Sequence, residues 1–179
     1  PYSLEAEQTV LGAMLIDSEV LPQVMAHLKS ESFYVKKHQE LFGVIIRLFT
    51  LGVDADIITV LNESVRDGIF ETSAAGKDYL SKIMNEVPSV LNVESYCKIV
   101  EEKYYVRSLI NASKEIAEAA SDGQESAETL LDFAEQKIYD IRQGKEIDGL
   151  TRIGDVILDA YDRLGKLTGP DREQYLGGK

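Results

Sequence analysis

The chain has 179 residues, of which 44% are hydrophobic, and its 31 acidic and 19 basic residues give a formal net charge of −12. This length allows one domain with a smaller appendage and a true hydrophobic core, because about 68–70% of the unfolded surface can be buried at this size. The acidic balance argues against strong nucleic-acid binding and against docking on anionic membranes, and the single cysteine excludes an intrachain disulfide and a cysteine-rich zinc site.

The first part of the chain, residues 1–103, predicts a compact helical head. Apolar residues recur at helical spacing and no alternating strand pattern stands out, so we expect an all-α fold. Ser3 can cap a first helix over about residues 4–16, and Asp17 can cap a second helix. Glu7 lies on the apolar face of the first helix, which suggests a paired buried carboxylate or, as an alternative, an interface contact.

Three further helices complete the predicted head. Residues 37–51 are apolar almost all round, which is typical of a central core helix, and Gly52 ends it. Asp56 can cap the next helix. Gly68 and Gly76 are predicted to bound a turn before a short last helix.

A long helix is predicted next. Asn92 can cap a run to about Ser121 that contains neither glycine nor proline. A helix of about thirty residues is about 45 Å long, more than a small domain is wide. Its apolar stripe changes sides midway, which indicates that the first part packs on the head and the second part on a different helix. The first stripe is Val93, Cys97, Val100 and Tyr104, and the second is Val106, Leu109, Ile110, Ile116, Ala117 and Ala120.

Residues 104–142 are predicted to form a projecting antiparallel helical hairpin, with its turn at residues 122–124. The second helix carries one apolar face, which is expected to pack on the first helix of the hairpin. This face consists of Ala127, Leu130, Leu131, Ala134, Ile138 and Ile141. A two-helix hairpin buries too little apolar surface to be stable by itself, so we expect the apolar side chains that it leaves exposed to contact another chain. In the alternative, the hairpin folds back on the head and buries its aromatic residues there. The interface candidates are Phe133, Tyr139, Val106 and Leu109.

The C-terminal part predicts a tethered amphipathic linker helix. Residues 143–151 are polar and contain two glycines, which is typical of a flexible connector. Residues 152–167 predict a short helix with a sharp apolar stripe, and residues 168–179 predict a polar tail. Because so short a helix is marginal in water, we expect it to dock on a neighbouring subunit or, alternatively, on its own head. The docking face is Ile153, Val156, Ile157, Ala160, Tyr161 and Leu164.

No catalytic, cofactor-binding or metal-ligating constellation is predicted. His27 and His38 do not have metal-ligand spacing, and Cys97 is expected to be an inert core thiol. Gly177-Gly178-Lys179 is faintly similar to the end of a phosphate-binding loop, but the other residues of that motif are missing, so no ATP site is assigned. No stretch approaches the ~20 apolar residues of a membrane span and no secretory signal is present, so we expect a cytoplasmic protein. The start at Pro1, without a methionine, suggests a piece of a longer protein.

Short motifs follow one another in a characteristic order over residues 3–110. They are Glu5-Ala6-Glu7-Gln8-Thr9-Val10-Leu11-Gly12, Phe33-Tyr34, His38, Asp56-Ile57-Ile58-Thr59-Val60, Tyr79-Leu80, Val87-Pro88, Asn92-Val93-Glu94-Ser95-Tyr96, Ile99-Val100-Glu101-Glu102-Lys103 and Arg107-Ser108-Leu109-Ile110. In this order and spacing they resemble the N-terminal domain and linker helix of the DnaB-type bacterial replicative DNA helicases. The hairpin after Ile110 matches in pattern more than in residues, so no primase-contact residue is carried over.

The resemblance implies a non-catalytic domain that pairs with copies of itself, helps to order six helicase subunits into a collar, and docks primase. The helicase loader is a further candidate partner. No cofactor is implied for this part, because ATP and magnesium would act in the family's motor domain beyond Lys179. Two other classes stay open: a stand-alone helical adaptor unrelated to replication, and a small helical hydrolase, which the absence of convergent catalytic groups disfavours.

Overall fold

The computed structural model describes residues 1–145, which form helices joined by short turns, with no strand among them. The chain divides into two compact units, residues 1–138 and residues 139–179. The helices of the first unit are α1 (Leu4–Ile16), α2 (Leu21–His27), α3 (Lys36–Thr50), α4 (Ile57–Arg66), α5 (Ser73–Asn85), α6 (Val93–Asp122) and α7 (residues 127–138). Residues 139–145, the described part of the second unit, are also helical. The predicted all-α fold is confirmed.

Polar side chains begin the first two helical segments as the sequence predicts. The Ser3 hydroxyl accepts a hydrogen bond from the Ala6 backbone N–H at 3.2 Å. The Asp17 carboxylate accepts one from the Glu19 N–H at 2.9 Å and caps the 3₁₀ turn Ser18–Val20 that leads into α2. Each bond satisfies a donor that the first turn of a helix leaves unpaired, which fixes where the helix begins.

The predicted turn at Gly76 is wrong. Gly76 lies inside α5, which begins at Ser73 and is capped by the Thr72 hydroxyl. Neighbouring side chains pack directly on its Cα: a methyl group there would lie 2.6 Å from Leu61 Cδ1 and 2.9 Å from Phe70 Cδ2. This glycine therefore permits close packing of the helices rather than a reversal of the chain.

The start of the long helix also differs from the prediction. The Asn92 side chain makes no capping hydrogen bond. Instead, the Ser89 hydroxyl accepts from the Leu91 N–H at 3.3 Å and caps the 3₁₀ turn Val90–Asn92, which runs directly into α6. The 3₁₀ turn already occupies the position at which an Asn92 cap would form. The length of α6 agrees with the predicted long helix.

The core of the first unit surrounds α1. This helix packs on α6, α5 and α3, and its side chains Val10 and Leu11 are fully buried. The largest buried side chains from the elements around it are Leu21, Phe33, Leu41, Ile45, Leu80 and Ile83. The first half of α6 contributes Val93, Cys97 and Val100 to the same core. The base of the long helix is therefore fixed to the head by apolar burial.

Replacing Gly12 with alanine is expected to destabilise the head by about 1–3 kcal/mol, because the added methyl group has no room. It would lie against the Ile83 carbonyl oxygen and 2.6 Å from Val87 Cγ2. The matched control is Gly43→Ala in α3, whose methyl group would meet the Ser30 hydroxyl at an ordinary 3.7 Å. That change should stabilise by about 0.5–1 kcal/mol through helix propensity. Urea denaturation followed by circular dichroism measures both, and equal effects would contradict the packing argument.

Candidate interaction surface on the helical arm

A buried hydrogen-bond network fixes the loop beside the long helix. Glu7 of α1 is 1% exposed, and its carboxylate accepts from the Tyr34 N–H at 2.6 Å and the Val35 N–H at 3.3 Å. His38 of α3 is 0% exposed; its Nδ1 lies 2.6 Å from the Glu7 carboxylate and its Nε2 lies 2.6 Å from the Tyr79 hydroxyl of α5. The predicted buried, paired carboxylate is confirmed.

The hydrogen bonds among Glu7, His38 and Tyr79 can form with a neutral or with a charged imidazole. Burial raises the pKa of the Tyr79 hydroxyl, so this group keeps its proton and can donate to His38 Nε2. His38 then donates through Nδ1 to Glu7. In the imidazolium form both ring nitrogens donate, and the tyrosine oxygen and the carboxylate accept. Because Glu7 and His38 are fully enclosed, their role is to join α1, α3, α5 and the loop before α3.

Arg107 of α6 ties the same loop to the long helix. Its guanidinium donates to the carbonyl oxygens of Pro1 and Ser32, each at 2.9 Å, and lies 5.3 Å from the centre of the Tyr34 ring. Tyr34 also stacks on Tyr2, with the ring centres 4.3 Å apart. These contacts hold the start of the chain against α6 at the point where the head ends.

A cleft of about 400 Å³ lies beside this contact. Arg107, Ile110 and Lys114 of α6 line one side of it. Glu31 is the single carboxylate-bearing residue among its lining residues, and it pairs with Lys29 at 3.3 Å. The cleft is therefore a locally positive site on an acidic chain.

Beyond the head, the second half of α6 and α7 form an antiparallel pair, which we call the arm (residues 104–138). Gly123 ends α6 in the left-handed conformation, with φ of 68°, which glycine adopts without steric cost. Glu115 of α6 pairs with Lys137 of α7 at 2.9 Å, and the Lys137 ammonium lies 5.4 Å from the centre of the Phe133 ring. The predicted helical hairpin is confirmed.

The arm exposes large apolar side chains on both of its helices. On α6, Leu109 is 47% exposed and Ile110 is 37% exposed. On α7, Leu131 is 64% exposed and Ile138 is 38% exposed. The predicted packing of the two stripes of α6 is therefore confirmed only for the first. Val93, Cys97 and Val100 are buried in the head. The expectation that the second stripe packs on the other helix of the hairpin is wrong for Leu109 and Ile110, which are exposed.

On α6 these exposed residues lie to one side of the contact with α7. The buried or half-buried residues Ala112 and Ile116 mark the side that faces α7. At ~100° per residue, the exposed residues Leu109, Ala117 and Ala120 lie roughly 90° further round the helix.

On α7 the half-buried residues Leu130 and Lys137 mark the side that faces α6. The exposed residues Ala127, Leu131 and Ile138 lie roughly 90° from that side around the axis of α7, rotated in the same direction as the exposed residues of α6. Because the two helices run antiparallel, a rotation of the same size and direction about each helix axis, measured from the contact, leads to the same face of the helical pair. We call this surface the arm face. Its members are Leu109, Ala117, Ala120, Ala127, Leu131 and Ile138, with Ile110 at its edge.

The four interface residues predicted from the sequence do not share one face. Leu109 lies on the arm face, and Val106 is half-buried about one turn nearer the head. Phe133 is half-buried beneath Lys137, on the side of α7 turned away from the arm face. Tyr139 begins the second unit and is 55% exposed.

The predicted inward position of Leu131 is wrong. The side of α7 that meets α6 is shifted so that it includes Phe133 and Lys137, whose ring and aliphatic stem supply apolar contact. Leu131 is consequently exposed, and it forms a strip with Ala127 and Ile138. Apolar residues at positions 127, 131, 134 and 138 alternate spacings of four and three, a heptad pattern typical of a helix with a second helical partner. This signal in the sequence could have identified the arm face.

The predicted linker helix at residues 152–167 lies outside the described residues, as does the tail at residues 168–179. Of the predicted connector, residues 143–145 are helical and the rest also lie outside. The predicted docking face lies in the same undescribed part: Ile153, Val156, Ile157, Ala160, Tyr161 and Leu164.

Cys97 is an enclosed thiol, as predicted. It is 0% exposed, and burial, with the carboxylates of Glu101 and Glu94 adding to the effect, raises its pKa from 9.0 to about 12. We therefore expect no labelling by a thiol reagent at pH 8 until urea unfolds the chain. Because the folded pKa exceeds the unfolded one, this thiol's contribution to stability is complete below about pH 9 and is lost as the pH rises toward 12. Rapid labelling of the native chain would contradict this account.

Among residues 1–145, no group of three or more histidine, cysteine or acidic residues could hold a metal ion. His27 instead faces Glu101 of α6 at 3.3 Å and Glu94 at 3.6 Å. No single described helix is long and apolar enough to cross a membrane; α1 passes that test only together with Ser18–His27, across a bend of 119°.

The fold and its exposed surface define an all-α domain whose candidate site is the exposed apolar face of a helical pair. The family model described as DnaB-like helicase N terminal domain matches residues 1–102. The chain belongs to this family.

Curated relatives agree with the family. The chain is 35% identical over 173 residues to the replicative DNA helicase DnaB of Geobacillus stearothermophilus, covering 97% of this chain and 38% of that protein. It is 34% identical over 167 residues to the replicative DNA helicase DnaC of Bacillus subtilis, covering 93% of this chain and 37% of that protein. The chain thus spans less than two fifths of the length of these relatives.

Solved structures show the same fold. The crystal structure of the N-terminal domain of DnaB helicase from Mycobacterium tuberculosis superposes with a TM-score of 0.72 at 34% identity, over 78% of this chain and 98% of that one. A structure of a DnaB-like replicative helicase and its interactions with primase gives a TM-score of 0.62 at 23% identity, over 78% of this chain and 31% of that one. The second similarity concerns the fold alone.

Proposed function

We propose that this chain is the non-catalytic collar domain of a hexameric replicative DNA helicase, and that it joins helicase subunits and docks primase during DNA replication. The observation that carries the proposal is the arm face. Its large side chains Leu109 and Leu131 are 47% and 64% exposed, although each is of a type that proteins normally bury. Apolar side chains grouped on one face mark an interaction site when they form a continuous patch.

The geometry of the arm supports self-association. A pair of antiparallel helices has two broad faces. Leu131 and Ile138 lie on the arm face, and the head covers neither of them. Two arm faces packed together would form a four-helix bundle, in which these residues reach the interior. Their exposure argues against the alternative in which the hairpin folds back on its own head. Leu109 and Val106 would belong to this contact, whereas Phe133 and Tyr139 would serve other contacts.

Primase docking is proposed from the resemblance to the DnaB-type helicases, and the DnaB-like replicative helicase whose structure describes its interactions with primase shares the fold of this chain. The helicase loader is a further proposed partner. The predicted linker helix would dock on the motor domain of a neighbouring subunit. ATP and magnesium would act in that motor domain, and the acidic collar would contribute little nucleic-acid binding of its own. A cytoplasmic location follows from this role.

Mixed tagged and untagged copies of the chain test the self-association. After mixing at high concentration, affinity capture of the tagged copy should retain the untagged copy, because subunits exchange between assemblies. Retention should fall on dilution, as mass action requires. An untagged copy that is never retained would overturn the collar role.

Fluorescence anisotropy tests primase docking separately. The labelled chain, titrated with primase from the same cells, should show a saturable rise in anisotropy. A chain that self-associates but gives no rise at any primase concentration would restrict the function to assembly.

A further inference from the structure

The end of the head at which α1 stops carries exposed apolar side chains of its own. Ile16 is the last residue of α1 and is 45% exposed. After α3, Leu51 is 70% exposed and Val53 is 44% exposed. Ile58, in the first turn of α4, is 68% exposed. We call these four residues the head patch.

A cleft of about 250 Å³ connects the members of the head patch. It lies where the end of α1 meets the loop before α4, and its lining residues are Leu15, Ile16, Ser18, Asp54, Ala55 and Asp56. Val53 and Ile58 are within two residues of a lining residue, and Leu51 is within three. Because consecutive Cα atoms are 3.8 Å apart, none of them lies more than about 11 Å from the cleft lining. The exposed side chains therefore form one group, and such groups mark interaction sites.

The backbone around the cleft is held in place by hydrogen bonds within the chain. The Val53 N–H donates to the Leu48 carbonyl oxygen at 2.9 Å, and Gly52, with φ of 72°, turns the chain at the end of α3. The Asp56 carboxylate accepts from the Thr59 N–H at 2.9 Å and from the Thr59 hydroxyl at 3.0 Å, which caps α4. A ligand therefore meets an ordered surface, and binding orders little of this chain.

The segments that form the head patch carry charge of one sign. Residues 1–26 and residues 48–65 contain no lysine, arginine or histidine. Four acidic residues follow Ile16 or lie in the loop before α4: Asp17, Glu19, Asp54 and Asp56. The hydrogen bond from the Thr59 N–H, with that from its hydroxyl, lowers the pKa of the Asp56 carboxyl, so this group is ionised at neutral pH.

The basic residues that flank the second segment are engaged elsewhere. Arg47 donates to Asp67 at 2.9 Å and to Glu63 at 3.1 Å. Arg66 pairs with the other oxygen of Glu63 at 3.5 Å. Neither arginine is therefore the counter-ion of the carboxylates beside the head patch.

The sign of the charge decides which partner fits the head patch. Nucleic acids and anionic lipid surfaces are negative and are repelled. Two copies joined through their head patches would bring carboxylate against carboxylate, which is also unfavourable. A polypeptide that carries both apolar and basic side chains fits the apolar and the acidic parts together, and an amphipathic helix presents the two on adjoining faces.

The head patch is separate from the arm face. Arg107, at the base of the arm, donates to the Pro1 carbonyl oxygen at 2.9 Å and so lies beside the start of α1. Because an α-helix rises about 1.5 Å per residue, Ile16 lies about 18 Å from Leu4 along the axis of α1. A partner on the head patch therefore leaves the arm face accessible.

We propose that the head patch binds a basic amphipathic helix of another protein, with an apolar side chain of that helix in the cleft and its lysine or arginine side chains beside the carboxylates. Burial of Leu51, Val53 and Ile58 supplies affinity, and the carboxylates select basic over acidic helices. The site lies within one chain, so it does not depend on the proposed self-association.

Fluorescence anisotropy with a labelled model peptide tests the proposal. The peptide is an amphipathic helix of leucine and lysine, about five turns long, and its counterpart carries glutamate in place of every lysine. The basic peptide should give a saturable rise in anisotropy that added salt reduces, and the acidic counterpart should give none. No binding of the basic peptide, or equal binding of the two peptides, would overturn the proposal.

Two variants of the chain locate the bound peptide. Ile58→Ser removes an exposed apolar side chain and should raise the dissociation constant about tenfold. Asp54→Lys reverses one exposed charge and should raise it severalfold, by an amount that shrinks with added salt. Asp56 is left unchanged because it caps α4. Circular dichroism of each variant checks that the helices are retained.

The matched controls make the same chemical changes at exposed positions of the arm. Leu131→Ser and Glu128→Lys should leave peptide binding unchanged. Peptide binding that is weakened by the arm variants as much as by the head variants would place the site elsewhere and overturn the proposal. A chain that binds the peptide at the head patch but stays monomeric at every concentration would contradict the collar role and leave the head patch standing.

Discussion

Replacing Glu7 with alanine is expected to lower the free energy of unfolding by about 3–5 kcal/mol, the usual cost of removing one partner from a buried charged or hydrogen-bonded pair. The change leaves the N–H groups of Tyr34 and Val35 and the Nδ1 of His38 without their acceptor, in a site that is almost closed to water. Because domains are typically stable by only about 5–15 kcal/mol, this single change could leave the head marginal.

Urea denaturation followed by circular dichroism measures the effect. The matched control is Glu5→Ala, which removes an exposed carboxylate from the same first turn and should cost less than about 1 kcal/mol. His38→Ala alone and the Glu7→Ala, His38→Ala double variant complete a cycle, in which strong non-additivity is expected. Additive effects, or a Glu7→Ala variant as stable as the control, would show that the network does not hold the head together.

Replacing Leu131 with lysine is expected to weaken self-association at least about a hundredfold while leaving the fold intact. Burial of one leucine contributes about 1.5–3 kcal/mol, and a symmetric pair of copies would lose this contribution twice. Each 1.4 kcal/mol corresponds to a factor of ten in the dissociation constant. The isolated chain should unfold as the parent does, within about 0.5 kcal/mol, because Leu131 is 64% exposed.

Leu91→Lys is the matched control for this variant. Leu91 lies before α6, away from the arm, and is 93% exposed, so the same chemical change there removes no contact of the arm face. Sedimentation equilibrium of both variants gives the dissociation constants. Association that survives Leu131→Lys, or that is lost equally in Leu91→Lys, would place the interface elsewhere.

Local rules predict most of the helices, because their signals lie within one turn of the chain. Ser3 and Asp56 carry short polar side chains that accept bonds from the first turn of the next helix, and both caps are observed. The position of Gly76 inside a helix could not be predicted from such local rules. Its conformation is helical, and the reason for glycine is the packing of Leu61 and Phe70, which belong to α4 and to the turn before α5 rather than to the helix of Gly76 itself.

The head network was predictable only in part. A carboxylate on an apolar helical face indicates that Glu7 is buried and paired, but its partner His38 lies 31 residues away and is selected by the crossing of α1 and α3. Tyr79 joins from 41 residues beyond His38. Tertiary packing decides such pairs, and no local pattern specifies them.

The arm face shows a similar division. The sequence predicts the hairpin and the change of side along α6, because both follow from helical periodicity. It does not fix how far α7 is rotated about its own axis, since Leu131, Phe133 and Lys137 each offer apolar surface to α6. The rotation observed leaves Leu131 outside and places Lys137 beside Glu115.

Light scattering of the parent chain over a wide range of concentrations tests the central claim most directly, because it reports the mass of the particle without a label or a tag. The molar mass should rise with concentration from that of one 19.9 kDa chain toward that of two or more. A mass that stays at one chain throughout would mean that the exposed leucines of the arm have no partner in a second copy, and would contradict the collar role.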